Sequence, residues 1–299
     1  MNVKPSIIDT HVHFFDMRQK EWDLEWSWLA PQSDHPILGN IDAIKSQSFD
    51  LTALEGESRF AGVTGFVHVQ AAIGSRDPVT ETKWVDHMAM ASSIPVQIVG
   101  HVDLATSQGP RQIEQHLEAS ARFAGVRDFS LEPALASGDF SAYGPSFKVL
   151  TDENLVLDLD CEFQNMPAAK LLAGRNPDMN IVLEHIGFPR RRDDQYFSDW
   201  SLGIKTLAEV PNVMCKISGL GMTDPRFTAK SLQPWLEVCL DAFGPDRLVI
   251  GSNWPIDRLY SSYDAIIGLY REFFSQLSID DQEKIFNLNT KKVYRFNNE

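Results

Sequence analysis

Ser6-Ile7-Ile8-Asp9-Thr10-His11-Val12-His13 reads as a first β-strand, and the rest of the chain is placed by it. Ile7 and Ile8 open an apolar run rich in β-branched residues. Polar residues then fall on alternate positions at Asp9, His11 and His13. Alternate side chains of a strand share one face, so the two histidines point the same way, one step apart, at the strand's end. Two imidazoles so placed can hold a metal, bind an anionic group or handle a proton.

Seven more short, continuously apolar runs follow, at 62–70, 94–102, 123–129, 155–160, 180–185, 212–218 and 247–253. Between them lie helix patterns. One covers 49–58, one starts at Asp77-Pro78 and carries Glu81, Trp84, Val85 and Met88, and one covers 113–121. The next cover 147–153 and 167–172, the latter stopped by Gly174, and another contains Trp200, Ile204 and Leu207. The last run over 231–243, 263–274 and 280–294. Buried strands alternating with helices predict a parallel sheet, and about eight such units predict an α/β fold of the (β/α)₈ TIM-barrel type. A doubly wound open sheet is the rival, but no Gly-x-Gly-x-x-Gly follows the first strand. No composition break divides residues 1–299, so a single domain is expected. An aromatic loop insertion at about 14–40 carries Trp22, Trp26, Trp28 and Pro31, and either roofs a pocket or packs beside the core.

Composition narrows the function. Hydrophobic residues at 43% and charged residues at 23% fit a soluble protein with a sizeable core. Lysine and arginine number 27 against 41 aspartates and glutamates, a net charge of −14, which excludes general binding to nucleic acid or anionic membranes. Cys161, Cys215 and Cys239 are too few and scattered for a disulfide framework. There is no basic-then-apolar leader and no apolar run of membrane-spanning length. The expectation is a cytoplasmic protein acting on a small molecule, with monomer and homo-oligomer both open.

A barrel gathers its chemistry at the C-terminal ends of its strands. Those ends carry His11 and His13, Gln70, His101 with Asp103, Arg127, Glu162 with Gln164, His185, Lys216 with Ser218, and Asn253. So many polar side chains directed at one mouth predict a functional pocket.

Asp9-Thr10-His11-Val12-His13 matches the Asp-x-His-x-His first-strand motif of the amidohydrolase superfamily. Four further segments follow in order: Gly125-Val126-Arg127, Glu184-His185-Ile186-Gly187-Phe188-Pro189, Lys216-Ile217-Ser218-Gly219-Leu220 and Gly251-Ser252-Asn253-Trp254-Pro255. Together they resemble the amidohydrolase-related branch of sugar lactonases and 2-pyrone-4,6-dicarboxylate lactonase. The resemblance runs from residue 9 to residue 263. It implies a barrel that hydrolyses a cyclic ester, although some relatives are decarboxylases, hydratases or lactone isomerases. The expectation is that His11, His13 and His185 surround the substrate carbonyl, directly as donors or through a weakly held divalent ion, while Arg127, Gln70, Glu162, Gln164 and Asn253 bind substrate. Glu81 would orient this shell from behind.

Two departures bear on the metal and the base. Members that hold a metal firmly usually add a histidine or modified lysine from a middle strand and an aspartate from the eighth. Here residues 160–164 contain no histidine, and Asn253 stands where many relatives have aspartate. An amide is a poor base and a weak ligand. The expectation is therefore no required cofactor, or one weakly held divalent ion, zinc first, on His11, His13 and His185. Asp257 is the expected base, with Glu162 as its alternative; otherwise Asp257 caps a helix. The rival functions are a metal-dependent decarboxylase, an amide hydrolase, or a binding protein with impaired catalysis.

Overall fold

Eight short strands, almost entirely buried, follow one another round a single parallel sheet in chain order. The computed structural model describes residues 5–29, 34–35, 37–45 and 47–296. The strands are β1 (Ile7–Val12), β2 (Val63–Val69), β3 (Val96–His101), β4 (Phe123–Arg127), β5 (Val156–Leu159), β6 (Asn180–Leu183), β7 (Val213–Ile217) and β8 (Leu248–Ile250). A helix follows each: α1 (Leu51–Ser58), α2 (Val79–Ala89), α3 (Gly109–Ala119), α4 (Gly144–Asp152), α5 (Met166–Arg175), α6 (Asp194–Ala208), α7 (Ala229–Phe243) and α8 (Tyr263–Phe274). This is the (β/α)₈ TIM barrel expected from the alternation.

The strands are apolar on both faces because each meets the barrel interior on one side and helices on the other. Val67, Val69, Val99, Val156, Val182 and Val249 fill the interior, and Val293 and Tyr294 from the C-terminal segment pack among them. Larger side chains such as Phe66, Ile98, Phe123 and Leu157 face the helix layer. Helix starts are local. Asp50, Asp193, Thr228 and Ser262 each accept a hydrogen bond from a first-turn amide. Prolines occupy the first turns of α3, α4 and α5.

Three details differ from the sequence expectation. A further helix, Leu131–Ser137, follows β4. Helix α5 continues through Gly174 to Arg175. The stretch expected as one C-terminal helix is instead Ile279–Glu283, a π-type segment Lys284–Leu288 and Asn289–Val293. The aromatic insertion is anchored by Phe15–Asp16 pairing antiparallel with Ser48–Phe49. Trp26 packs edge-on against Trp84 of α2 at 5.5 Å, and the Trp28 indole donates to the Ala71 carbonyl at 2.8 Å. Pro31 lies outside the described residues. Among the described residues no helix is long and apolar enough to cross a membrane.

The ring closes between β1 and β8, largely through side chains. The Thr10 hydroxyl donates to the Ile250 carbonyl at 2.6 Å, and the Ser252 amide donates to Asp9 Oδ1 at 2.8 Å. Asp9 Oδ2 accepts from the Tyr263 hydroxyl of α8 at 2.7 Å. Pairing with β2 is irregular between Asp9 and Val12. Asp9 is thus engaged with the helix layer, while the two histidines after it meet one another. Removing one partner strands a buried polar group, so Tyr263→Phe should cost about 1–3 kcal/mol of unfolding free energy and Asp9→Ala more. Urea unfolding measures both, and wild-type stability in both variants would place the closure elsewhere.

Candidate active site

The two histidines of β1 meet head to head. His11 Nε2 and His13 Nε2 are 3.0 Å apart. His13 Nδ1 faces the Val69 carbonyl at 2.8 Å, which fixes a proton on Nδ1 and leaves Nε2 as a lone pair when the ring is neutral. His11 Nδ1 lies 3.4 Å from Glu184 Oε1, and neither atom has a hydrogen-bond partner. With its proton on Nδ1, His11 turns a lone pair on His13; with the proton on Nε2, it turns one on the carboxylate. A cation bound between them would resolve the conflict. Protonation of His11 is disfavoured, because burial and then the charges of His185, Lys216, His13 and Arg127 hold its pKa well below the usual imidazole range. One ligand atom each from His11, Glu184 and His185 also lie within 4.8 Å of one another. These residues therefore fit a single divalent ion, and imidazole donors suit zinc.

Glu184, fully buried at the end of β6, is the charge around which this cluster is built. Its Oε2 accepts from Arg127 Nη1 at 3.2 Å, and Lys216 Nζ stands 3.9 Å from Oε1. Burial opposes its ionisation, but Arg127, Lys216 and His185 outweigh that and hold its pKa at about 2. Lys216 in turn donates to Asp158 Oδ2 at 2.5 Å, and the Tyr294 hydroxyl donates to Asp158 Oδ1 at 2.5 Å. Arg127 Nη2 donates to the Gln70 carbonyl at 2.7 Å, and the guanidinium lies over the Phe129 ring.

His185 and Asn253 sit in strained turns. His185, Ile186 and Phe188 have φ of 51°, 50° and 47°, and Asn253 has 57°. Left-handed backbone at such residues costs on the order of 1–3 kcal/mol each and concentrates where geometry matters. His185 Nδ1 meets the Ser218 hydroxyl at 2.8 Å. Gly219 lies so close that a Cβ there would collide with the His185 ring. Burial brings the His185 pKa down to about 3 against the pull of Glu184. The Asn253 amide donates to Asp257 Oδ1 at 3.0 Å, and the Gly221 amide donates to Asp257 Oδ2 at 3.0 Å.

These groups surround a cavity of about 160 Å³ at the C-terminal mouth, a size for a small ring and not a polymer. His13, Gln70, Arg127, His185 and Asn253 line it. Trp28, Phe129 and Phe188 supply aromatic faces, and Trp28, His35, Ile37 and Leu38 bring the aromatic insertion to its edge. Gln70 Nε2 is buried without a partner, as is Arg127 Nε. His11 lies behind His13 and is fully buried. Asp257 is also fully buried and reaches the cavity through Asn253. Glu162 pairs with Arg190 at 2.6 Å, and Gln164 is exposed; neither lines the cavity. His101 pairs with Asp103 at 3.3 Å, also outside the lining. Glu81 sits one layer out, accepting from the Ala71 and Ala72 amides and facing His68.

Sequence reasoning passed over Glu184, Asp158 and Asp160. Glu184 directly precedes His185, and Asp158 and Asp160 stand on alternate positions of one strand end, which is the signal that marks them. A larger groove of about 810 Å³, lined by Ile94, Pro95, Arg122 and Phe296 among others, includes none of the polar strand-end residues. It lies at the strand starts, where Ile8, Thr64 and Gln97 reach it, away from the chemistry.

An amidohydrolase family model matches residues 8–296. The chain is 30% identical to the uncharacterized protein y4mH of Sinorhizobium fredii, over 97% of this chain and 98% of that one. It is 27% identical to an L-fucono-1,5-lactonase of Burkholderia ambifaria, over 96% of this chain and 95% of that one. A zinc-bound amidohydrolase structure from Burkholderia multivorans has a TM-score of 0.80 at 25% identity, covering 97% of this chain and 99% of that one.

Burial pushes the Asp257 carboxyl up to about 7 despite its hydrogen bonds from Asn253 and Gly221. The folded chain then binds this proton more tightly than the unfolded chain. Its contribution to stability is present below about pH 4 and is lost as pH rises through about 7. Asp257→Asn removes that loss, so its Tm relative to wild type should rise across this window in calorimetric scans. Two parallel Tm curves would show an ordinary carboxylate instead.

Proposed function

This chain belongs to the amidohydrolase family, and we propose that it opens a small sugar-acid lactone by attack of water on the ring carbonyl. The observation that carries this reading is the meeting of His13, His185, Arg127, Gln70 and Asn253 in one small cavity with aromatic walls. The lactonase relatives support the substrate class.

A cyclic ester requires its carbonyl to be polarised, its ring oriented and the oxyanion stabilised. One divalent ion held by His11 and His13, with His185 and Glu184 as neighbouring donors, would when bound polarise the carbonyl as a Lewis acid and acidify a water. Where His185 does not ligate the ion and the Ser218 hydroxyl donates to its Nδ1, His185 Nε2 carries the proton and serves as a donor to the developing oxyanion. Gln70 Nε2 reads a ring hydroxyl, and the Asn253 carbonyl oxygen, with its amide nitrogen committed to Asp257, accepts from another. Arg127 keeps Glu184 charged and offers its remaining N–H groups to substrate oxygens. Trp28, Phe129 and Phe188 cover the apolar face of the ring and exclude bulk water. In this reading Asp257 acts by fixing Asn253, because both its oxygens are committed away from the cavity.

A panel of five- and six-membered aldonolactones, followed by indicator dye and by CO₂ analysis, tests the reaction. One acid equivalent per turnover without CO₂ is expected; CO₂ release would move the chain to the decarboxylase reading. Gln70→Leu should raise KM about 5- to 20-fold with kcat nearly unchanged, the loss of one hydrogen bond of about 1–2 kcal/mol. An unchanged KM would remove Gln70 from substrate binding. Zinc added to chelator-stripped protein should bind once per chain and raise Tm. His11→Ala and His13→Ala should each abolish that rise, and a rise retained in both would take the ion elsewhere.

A further inference from the structure

The attacking water must surrender a proton, and most carboxylates near the mouth are already committed. Asp158 is bound by Lys216 and Tyr294, Glu184 by Arg127, Asp257 by Asn253 and Gly221, and Glu162 by Arg190. Asp160, one residue beyond β5, is different. It lines the cavity together with His13, His185, Arg127 and Asn253. Among the described residues it has no hydrogen-bond or ion-pair partner.

We propose that Asp160 is the general base of this hydrolase, accepting the proton of the attacking water and returning it to the leaving oxygen. The assignment rests on the lactone-opening reading. As the water oxygen bonds to the carbonyl carbon, its proton passes to the Asp160 carboxylate and the carbonyl oxygen becomes the oxyanion. Collapse then breaks the bond from that carbon to the ring oxygen, and the Asp160 proton moves to the departing alkoxide. The product is a hydroxy acid, and Asp160 is again ionised. Asn253 has no proton-accepting capacity for this step, so the carboxylate of the fifth strand supplies what the eighth strand lacks.

The electrostatic surroundings suit the role. Burial pushes the Asp160 carboxyl up, Glu184 of β6 adds to the push, and Arg127 of β4 and Arg190 after β6 pull it back. Glu132 of the helix after β4 raises it further, and the balance falls at about 7. Glu162, two residues on, is turned to Arg190. A base with a pKa near the working pH is ionised often enough to act and still holds the proton it takes.

The test compares wild type, Asp160→Asn, Asp160→Glu and Asp160→Ala on the best aldonolactone of the panel, with circular dichroism melts alongside. Asp160→Asn is expected to lower kcat by about 10²- to 10⁴-fold with little change in KM, and to lose the acid limb of the kcat/KM profile near pH 7. Asp160→Glu should recover part of the rate, and formate added to Asp160→Ala should recover activity in proportion to its concentration. A purely structural aspartate would show neither the formate dependence nor the lost limb. Carbon-13 carboxyl NMR, taken as wild type minus Asp160→Asn, should show a step between about pH 6 and 8, a readout that needs no turnover. Wild-type rates in Asp160→Asn, or an NMR step near pH 4, would overturn the assignment while leaving the hydrolase reading in place. A wild-type chain that opens no lactone overturns both.

Discussion

Glu184 is a carboxylate with no access to water in the middle of the barrel, and the arrangement around it follows from that burial. An isolated charge in such a place is too costly to keep, so it is met by cations and dipoles. Arg127 comes from β4, Lys216 from β7 and the His11 ring from β1. Lys216 is fully buried too, and it is balanced by Asp158 of β5, which Tyr294 of the C-terminal segment then satisfies. Five strands and the chain end are thereby tied to one another by charge. This network also fixes the distances between the imidazoles and the guanidinium at the mouth.

The first-strand motif divides its labour in a way that strict alternation conceals. Alternation puts Asp9, His11 and His13 on one face. The structure engages Asp9 with Ser252 and Tyr263 at the seam, while the histidines face one another across 3.0 Å. An irregularity in the β1–β2 pairing separates the two tasks. Asp9 holds the ring shut, and the ring places the histidines. Gly251 shows how tight that seam is, since a Cβ on it would come within 2.6 Å of the His11 Cβ.

Strain is concentrated beside the cavity. His185, Ile186 and Phe188 hold left-handed backbone in sequence, and for the β-branched Ile186 this is a marked departure from preference. The surrounding packing must hold that turn in place: Trp200 donates to the Ile186 carbonyl, and Ser218 and Gly219 press on the His185 ring. Asn253 is held in the same conformation with Asp257 behind it. An amide there, tied by its nitrogen, presents a fixed acceptor instead of a titrating group.

The alternation of apolar runs and helix patterns, the order of the eight strands and the polar residues at their ends were all legible in the sequence, because a strand's period, a helix cap and a run length are local properties. Local rules also brought out His11, His13, Arg127, His185, Gln70 and Asn253 as strand-end residues. They did not say which polar groups face the cavity and which face each other. At the end of β5, Asp160 lines the cavity while Glu162 turns to Arg190 and Gln164 to solvent. The three share one parity, so the choice is made by the chain leaving the strand after Leu159 and by a partner 28 positions away. Asp257 lies behind Asn253 because of a left-handed turn that asparagine tolerates but does not by itself require. The Arg127–Glu184 pair spans 57 residues. Tertiary structure decided these points because buried charges choose their partners by distance in the closed ring, and that distance is not encoded by proximity along the chain.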